Sequence, residues 1–96
     1  MKVKADLKQV PVGLVGGHLF VSVESSVKKY YNAEAVSVSS FNSVGPFDIL
    51  PQHENFISLI REKVSIFDTS GKKWEFPIKN GLLEVSEDKV RIFIGI

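Results

Sequence analysis

The chain reads as an all-β protein, a small β-sandwich of about eight to ten short strands. Three observations point there. Apolar and polar residues alternate in short runs, turn residues punctuate those runs at brief intervals, and no stretch keeps a helical period. The 96 residues leave room for one domain. They divide into an N-terminal arm or edge strand with a Gly-rich joint (1–17) and the sandwich domain (18–96).

In the arm, Lys2-Val3-Lys4-Ala5-Asp6-Leu7-Lys8 alternates weakly, with lysines that discourage pairing by another edge, and Gly13, Gly16 and Gly17 form the joint. From Leu19 the period is two: Leu19, Val21 and Val23 share one face, Phe20, Ser22 and Glu24 the other. Ser25 and Ser26 interrupt, Val27 to Tyr31 continues, Asn32 marks a turn, and Val36 and Val38 then alternate with Ser37 and Ser39. Gly45 and Pro46 open a loop that holds the apolar run Phe47 to Leu50 and closes at Pro51. Phe56 to Ile60 follows, with Ile57 and Ile60 spaced as one helical turn, so a short helix is conceivable there. Val64 and Ile66, then Trp74, Phe76 and Ile78, flank an Asp68-Thr69-Ser70-Gly71 hairpin turn. Asn80-Gly81 favours positive φ, Leu82 to Val85 is a strand, Glu87-Asp88 turns, and Val90, Ile92 and Ile94 close the chain. Pro77 belongs at an edge or bulge, because a central position would lack its hydrogen bond.

Composition narrows the function. Twelve Lys and Arg against eleven Asp and Glu give a formal net charge of +1, too little to attract a phosphate backbone or anionic lipid over distance. No nucleic-acid partner is therefore expected, although Lys28-Lys29-Tyr30-Tyr31 and Lys72-Lys73-Trp74 set lysines beside aromatic rings. Without cysteine there are no disulfides, thiol nucleophiles or thiolate metal sites. No apolar stretch reaches signal-peptide or membrane-spanning length, so a cytoplasmic protein or a soluble part of a larger assembly is expected.

Catalytic patterns are missing as well. His18 and His53 stand outside any ligand-spaced cluster, and no serine occupies a Gly-x-Ser-x-Gly elbow. Gly13 to Gly17 lacks the Gly-Lys-Ser/Thr ending of a phosphate loop. Asp48 and Glu54 flank the central loop and could work as an acid and base pair only across a cleft. The expectation is a protein that is not an enzyme, with no catalytic residue, metal or cofactor. The central loop, Ser43 to Phe56, is stiffened by two prolines and offers apolar side chains, which suits a protein interface or a core-crossing connection.

That loop carries a resemblance. Gly45-Pro46-Phe47-Asp48-Ile49-Leu50-Pro51-Gln52-His53-Glu54 resembles the Gly-x-Leu-Gly-Ile-Leu-Pro-Gly-His-Ala loop in the N-terminal β-sandwich of the F-type ATP synthase epsilon subunit, called delta in mitochondria. Gly81-Leu82-Leu83-Glu84-Val85 and Asp88-Lys89-Val90-Arg91-Ile92 resemble two of its later strands. The resemblance implies the epsilon-type sandwich fold and a mechanical role. The domain would dock on the gamma subunit and the membrane c-ring, coupling proton translocation to ATP synthesis from the inner face of the energy-coupling membrane. Contact with the membrane would be indirect, through the complex. Gly45, Phe47, Asp48, Ile49, Leu50 and His53 match the contacting loop and are the implied interface. The alternative is a stand-alone sandwich with another protein partner, since a fold does not fix a function.

Departures from the family pattern are specific. Asp48 and Gln52 stand where the family has glycine, which removes two positions of free positive φ. The arm 1–17 has no counterpart, and the sequence to Ile96 holds no C-terminal helical hairpin of the kind many members use for regulation.

Overall fold

Residues 17–95 are described by the computed structural model; the arm up to Gly16 and Ile96 lie outside it, so the choice between edge strand and loose arm falls outside the described residues. The alternation from Leu19 forms strand β1 (Leu19–Glu24), whose Leu19, Val21 and Val23 are completely buried. Five strands follow among the described residues: β2 (Lys29–Asn42), β3 (Gly45–Ile49), β4 (Phe56–Asp68), β5 (Lys73–Ser86) and β6 (Lys89–Ile94).

The described residues hold six strands where eight to ten are expected of the whole chain, because three strands of 13 or 14 residues run through positions that read as breaks. Asn32 is an interior residue of β2, opposite Ser22 of β1, so ladder hydrogen bonding overrides its turn preference. The one-turn helix around Phe56–Ile60 is absent, and that segment is instead the start of β4, paired with Gly81–Val85. Gly45–Ile49 of the expected central loop is strand β3, an edge strand that tolerates Pro46 opposite Phe41.

The strands run β1-β6-β5-β4-β2-β3, and β1 also pairs with β2, which closes the sheet on itself. β1 lies parallel to β6, in register at Val21 and Val90, and antiparallel to β2, with Leu19 opposite Ala35. Each long strand therefore serves both layers of a flattened barrel: β2 pairs with β1 through its first half and with β3 through its second. β5 meets β6 only from Gly81 onward, which leaves Lys73–Asn80 as an edge and places Pro77 there, as its missing N–H requires.

The layers bend where β4 and β5 pass from one to the other. Ile60 pairs with Gly81 and the next pair is Glu62 with Ile78, so Lys79 and Asn80 together oppose Arg61. Glu62 takes φ of 77° at this bulge. Gly81 does not use positive φ, contrary to the turn reading; it is glycine because a Cβ there would lie 2.7 Å from the Phe93 carbonyl oxygen and 3.3 Å from Ile60.

Inside the barrel, Ile49, Ile60, Val64, Ile66, Leu83, Val85, Val90 and Ile92 join the β1 residues in one core. Each such aliphatic side chain contributes about 1.5–3 kcal/mol by leaving water. The two long sides of the barrel, where strand edges are unpaired, are filled by aromatic rings. On one, Tyr31 meets Trp74 edge to face at 5.4 Å and Tyr30 meets Phe76 at 6.2 Å. On the other, Phe47 meets Phe56 at 5.5 Å. Trp74 thus packs against the core, as its phase with Phe76 and Ile78 predicts.

Asp68 fixes the hairpin between β4 and β5. Its Oδ1 accepts from Ser70 N, Ser70 Oγ and Lys72 N at 2.7–2.9 Å, and its Oδ2 accepts from Trp74 Nε1 at 3.0 Å. The Trp74 bond first and the Ser70 bonds next hold the Asp68 carboxyl well below the usual carboxylate range. Tyr31 moves the other way: burial and then the Asp68 charge raise its hydroxyl, which donates to Glu34 O at 2.9 Å.

Two outcomes follow from this geometry. Gly81→Ala forces β5 away from the β6 backbone and is expected to cost about 1–3 kcal/mol in urea unfolding. A depressed carboxylate stabilises the fold above its unfolded pKa of about 3.9, and that contribution is lost as pH falls through the folded value. Wild type should therefore lose its advantage over Asp68→Asn as the pH drops below about 4; an advantage that stays constant from neutral pH to pH 2 would rule out this role.

Candidate partner interface

The central loop begins as the inner and outer faces of β3 diverge. Ile49 points inward and is 0% exposed, and Phe47 packs half-buried against the core. Asp48 faces out and accepts from Ser39 Oγ at 2.5 Å across the hairpin. Gly45 starts the strand at φ 139°, where its N–H and that of Val44 donate to Asn42 Oδ1 at 3.2 and 2.9 Å.

Beyond Ile49 the chain turns tightly, with His53 N donating to Leu50 O at 3.1 Å. Gln52 occupies the left-handed region, φ 68°, at the position where glycine is free to do so. The reason is visible at its amide, which donates to Asp88 Oδ1 at 2.6 Å. Asp88 also accepts from Phe20 N at 2.8 Å through its carbonyl, so one residue of the β5–β6 turn ties the loop to the start of β1. At Asp48, the other lost glycine, φ is negative and no such strain arises.

His53 Nδ1–H donates to Glu54 O at 2.8 Å, and its ring stands edge-on to Phe56 at 5.6 Å. A histidine fixed by a backbone carbonyl and an aromatic ring is a structural element of the loop. His18 Nδ1 donates to Glu34 Oε1 at 3.1 Å at the start of β1, far along the chain from His53. Among the described residues no group of three or more His, Asp or Glu is arranged to hold a metal.

The six implied interface residues are therefore not one surface. Asp48 and Leu50, the latter 45% exposed, can meet a partner; Gly45, Phe47 and His53 are partly covered; Ile49 is core and cannot touch one without unfolding the domain. The residues that the loop motif misses come next in the chain. Ile57 and Leu59 on β4 are 66% and 70% exposed, the most exposed large apolar residues of any strand. Leu59 pairs with Leu82, and Leu82 with Phe93, so an apolar row crosses three strands on the outer face. The sequence holds a signal for it: Phe56, Ile57, Leu59 and Ile60 leave this strand with no polar face.

The described residues form a closed, flattened β-barrel with an exposed apolar row and a rigid loop beside it, the architecture of a small β-sandwich domain. Residues 18–95 match the family described as "ATP synthase, Delta/Epsilon chain, beta-sandwich domain". The chain belongs to that family. It is 32% identical over 78 residues to ATP synthase epsilon chains of Neisseria meningitidis serogroups C and B, covering 79% of this chain and 56% of theirs. It therefore spans little more than half the length of those relatives. Among solved structures, a chain of the Euglena gracilis mitochondrial ATP synthase OSCP/F1/c-ring assembly shares the fold with TM-score 0.76 at 12% identity, over 98% of this chain and 59% of that one. A chain of the Tetrahymena thermophila mitochondrial ATP synthase central stalk and c-ring aligns with TM-score 0.68 at 12% identity, over 81% and 63%.

The loop geometry can be checked by stability. Gln52→Gly removes a left-handed penalty of about 1–2 kcal/mol and returns part of it as unfolded-chain entropy, so a net gain of roughly 0.5–1 kcal/mol is expected in chemical denaturation. A loss instead would mean that the Gln52 side chain, and not its backbone, holds the loop.

Proposed function

We propose that this domain is a non-catalytic component of the central stalk of an F-type ATP synthase, docking on the gamma subunit and c-ring and so coupling proton translocation to ATP synthesis. It would sit peripherally on a membrane-embedded complex, on the cytoplasmic side. Family membership supports the setting. The single observation that carries the docking step is the exposure of Ile57 and Leu59 immediately after the family loop. Two large aliphatic residues at 66% and 70% exposure are disfavoured on a free surface and become favourable when a partner covers them.

Gln52 supports the same reading. Where the family pattern has glycine, the chain makes a left-handed turn with a residue that resists it, and that turn places Leu50 and the start of β4.

The test is titration against the gamma subunit of the same organism by calorimetry. Saturable binding at micromolar affinity or better is expected, and Ile57→Asp and Leu59→Asp should each weaken it by roughly tenfold or more, about 1.4 kcal/mol, while leaving the fold intact. Ile49→Asp is unsuitable because it buries a charge in the core. Folded wild-type protein that does not bind gamma would overturn the stalk assignment and leave the alternative, a sandwich with another protein partner.

A further inference from the structure

The bend that passes β4 from one layer to the other leaves part of that strand half-paired. β4 meets β5 along Phe56–Ile60, but β2 joins its other side only from Arg61 to Asp68. Among the described residues, Phe56–Ile60 therefore has no strand partner on that side; only side chains reach it, with Ser58 Oγ donating to Leu59 O at 3.0 Å and Asn42 Nδ2 donating to Ser58 Oγ at 3.2 Å. The other free edges among the described residues are blunted in the usual ways: β3 carries Pro46, the first half of β5 carries Pro77 among charged residues, and the start of β2, unpaired on one side up to Glu34, carries Lys29 and Glu34. The Phe56–Ile60 edge has neither proline nor charge.

Alongside it lies an open groove of about 530 Å³, lined by Ser43, Ile57, Leu59, Arg61, Lys79 and Asn80 among others. Its floor is apolar and its rim is basic. The bulge itself gathers the two cations, since Lys79 and Asn80 face Arg61. Among the described residues neither Arg61 nor Lys79 has a carboxylate within salt-bridge distance, whereas Lys29, Lys63, Lys73 and Arg91 all do. Glu84, the acid across from Ile57, is held by Arg91 at 3.5 Å.

We infer that the Phe56–Ile60 edge and this groove receive an extended segment of a partner protein that alternates apolar residues with carboxylates. The segment adds as a strand, its apolar side chains cover Ile57 and Leu59, and its carboxylates meet Arg61 and Lys79. The inference deepens the docking reading by naming the chemistry of the partner's contact. The chain's own arm has the wrong sign, with Lys2, Lys4 and Lys8 against Asp6. A second copy laid antiparallel about Ser58 sets Glu62 opposite Glu54, like charge against like.

The probe is a ten-residue peptide, acetylated and amidated, that alternates valine and aspartate, compared with its valine–lysine counterpart on isotope-labelled protein by NMR. The aspartate peptide is expected to bind about tenfold tighter in dilute buffer, with shifts concentrated at Ile57 to Arg61 and at Lys79 and Asn80. That preference should collapse near 1 M salt, where the Debye length is about 3 Å. The double variant Arg61→Glu, Lys79→Glu, whose folding the same spectra report, should reverse it. Absence of peptide binding up to millimolar concentration, equal binding of both peptides, or dimerisation through this edge that Leu59→Asp abolishes would each overturn the inference. Peptide binding without gamma binding would refute the stalk assignment alone, and gamma binding insensitive to the double variant would refute the groove chemistry alone.

Discussion

Everything in this domain depends on long strands that belong to two layers at once. A closed sheet of so few strands can enclose a core only if its strands bend, and a bent ladder must drop or add a residue at the bend. Here β4 and β5 bend together, at the pairing step from Ile60 and Gly81 to Glu62 and Ile78. The bend works because Gly81 has no Cβ and lets the β6 backbone approach, and because Glu62 accepts a left-handed φ. With the layers so placed, Ile60, Leu83 and Ile92 meet Ile49 and Val38 across the interior. The same step that makes the core also ends the pairing of β2 with β4, and so leaves Phe56–Ile60 exposed along one edge. Core and candidate interface are two consequences of one irregularity.

The second organising point is Asp88. Its backbone helps form the turn from β5 to β6, with Glu87 and Asp88 both at positive φ, the geometry that suits a two-residue hairpin. From that turn its carboxylate reaches Gln52 and its carbonyl reaches Phe20, so the loop ahead of β4 is fastened to the end of the barrel opposite the bend. The strand that presents Ile57 and Leu59 is thus fixed at both ends, by Asp88 through the loop and by the bulge at Arg61. A strand held in this way would lose little conformational freedom on binding a partner, which is where affinity is commonly lost.

Much of the architecture is legible in the residues because it rests on local signals. The alternation at Leu19–Glu24, the Asp68–Gly71 turn, the Glu87-Asp88 turn and the edge position of Pro77 each follow from a few neighbouring side chains. Strand continuity does not, because Asn32 and Asn80-Gly81 have turn chemistry that only cross-strand partners can override. Gly81 is the instructive residue: its conformational freedom was the local argument, whereas its small size is what the neighbouring strand demands. The interface divides in the same way. The loop motif locates the right region, but whether Phe47, Ile49 or Ile57 faces inward depends on strand phase, and phase is set by the register of β3 on β2 and of β4 on β5.

Lysine placement separates the two aromatic sides of the barrel and explains why only one reads as a docking surface. Lys28-Lys29-Tyr30-Tyr31 and Lys72-Lys73-Trp74, distant in sequence, do come together along the Tyr31–Trp74 side. There, however, the cations are already engaged: Lys72 lies 4.0 Å from the Trp74 ring centroid, Lys28 lies 5.2 Å from that of Tyr30, Lys73 pairs with Glu75 and Lys29 with Glu24. Glu75 in turn is held below the ordinary carboxylate range by Lys73 and Lys63. This side satisfies its own charges and covers its own rings. The Phe47–Phe56 side does the reverse, since beside its half-buried aromatic pair the adjacent aliphatic residues and two cations are left without partners among the described residues. A surface that settles its own electrostatics gains little from a partner, and the one that does not is where binding free energy remains to be gained.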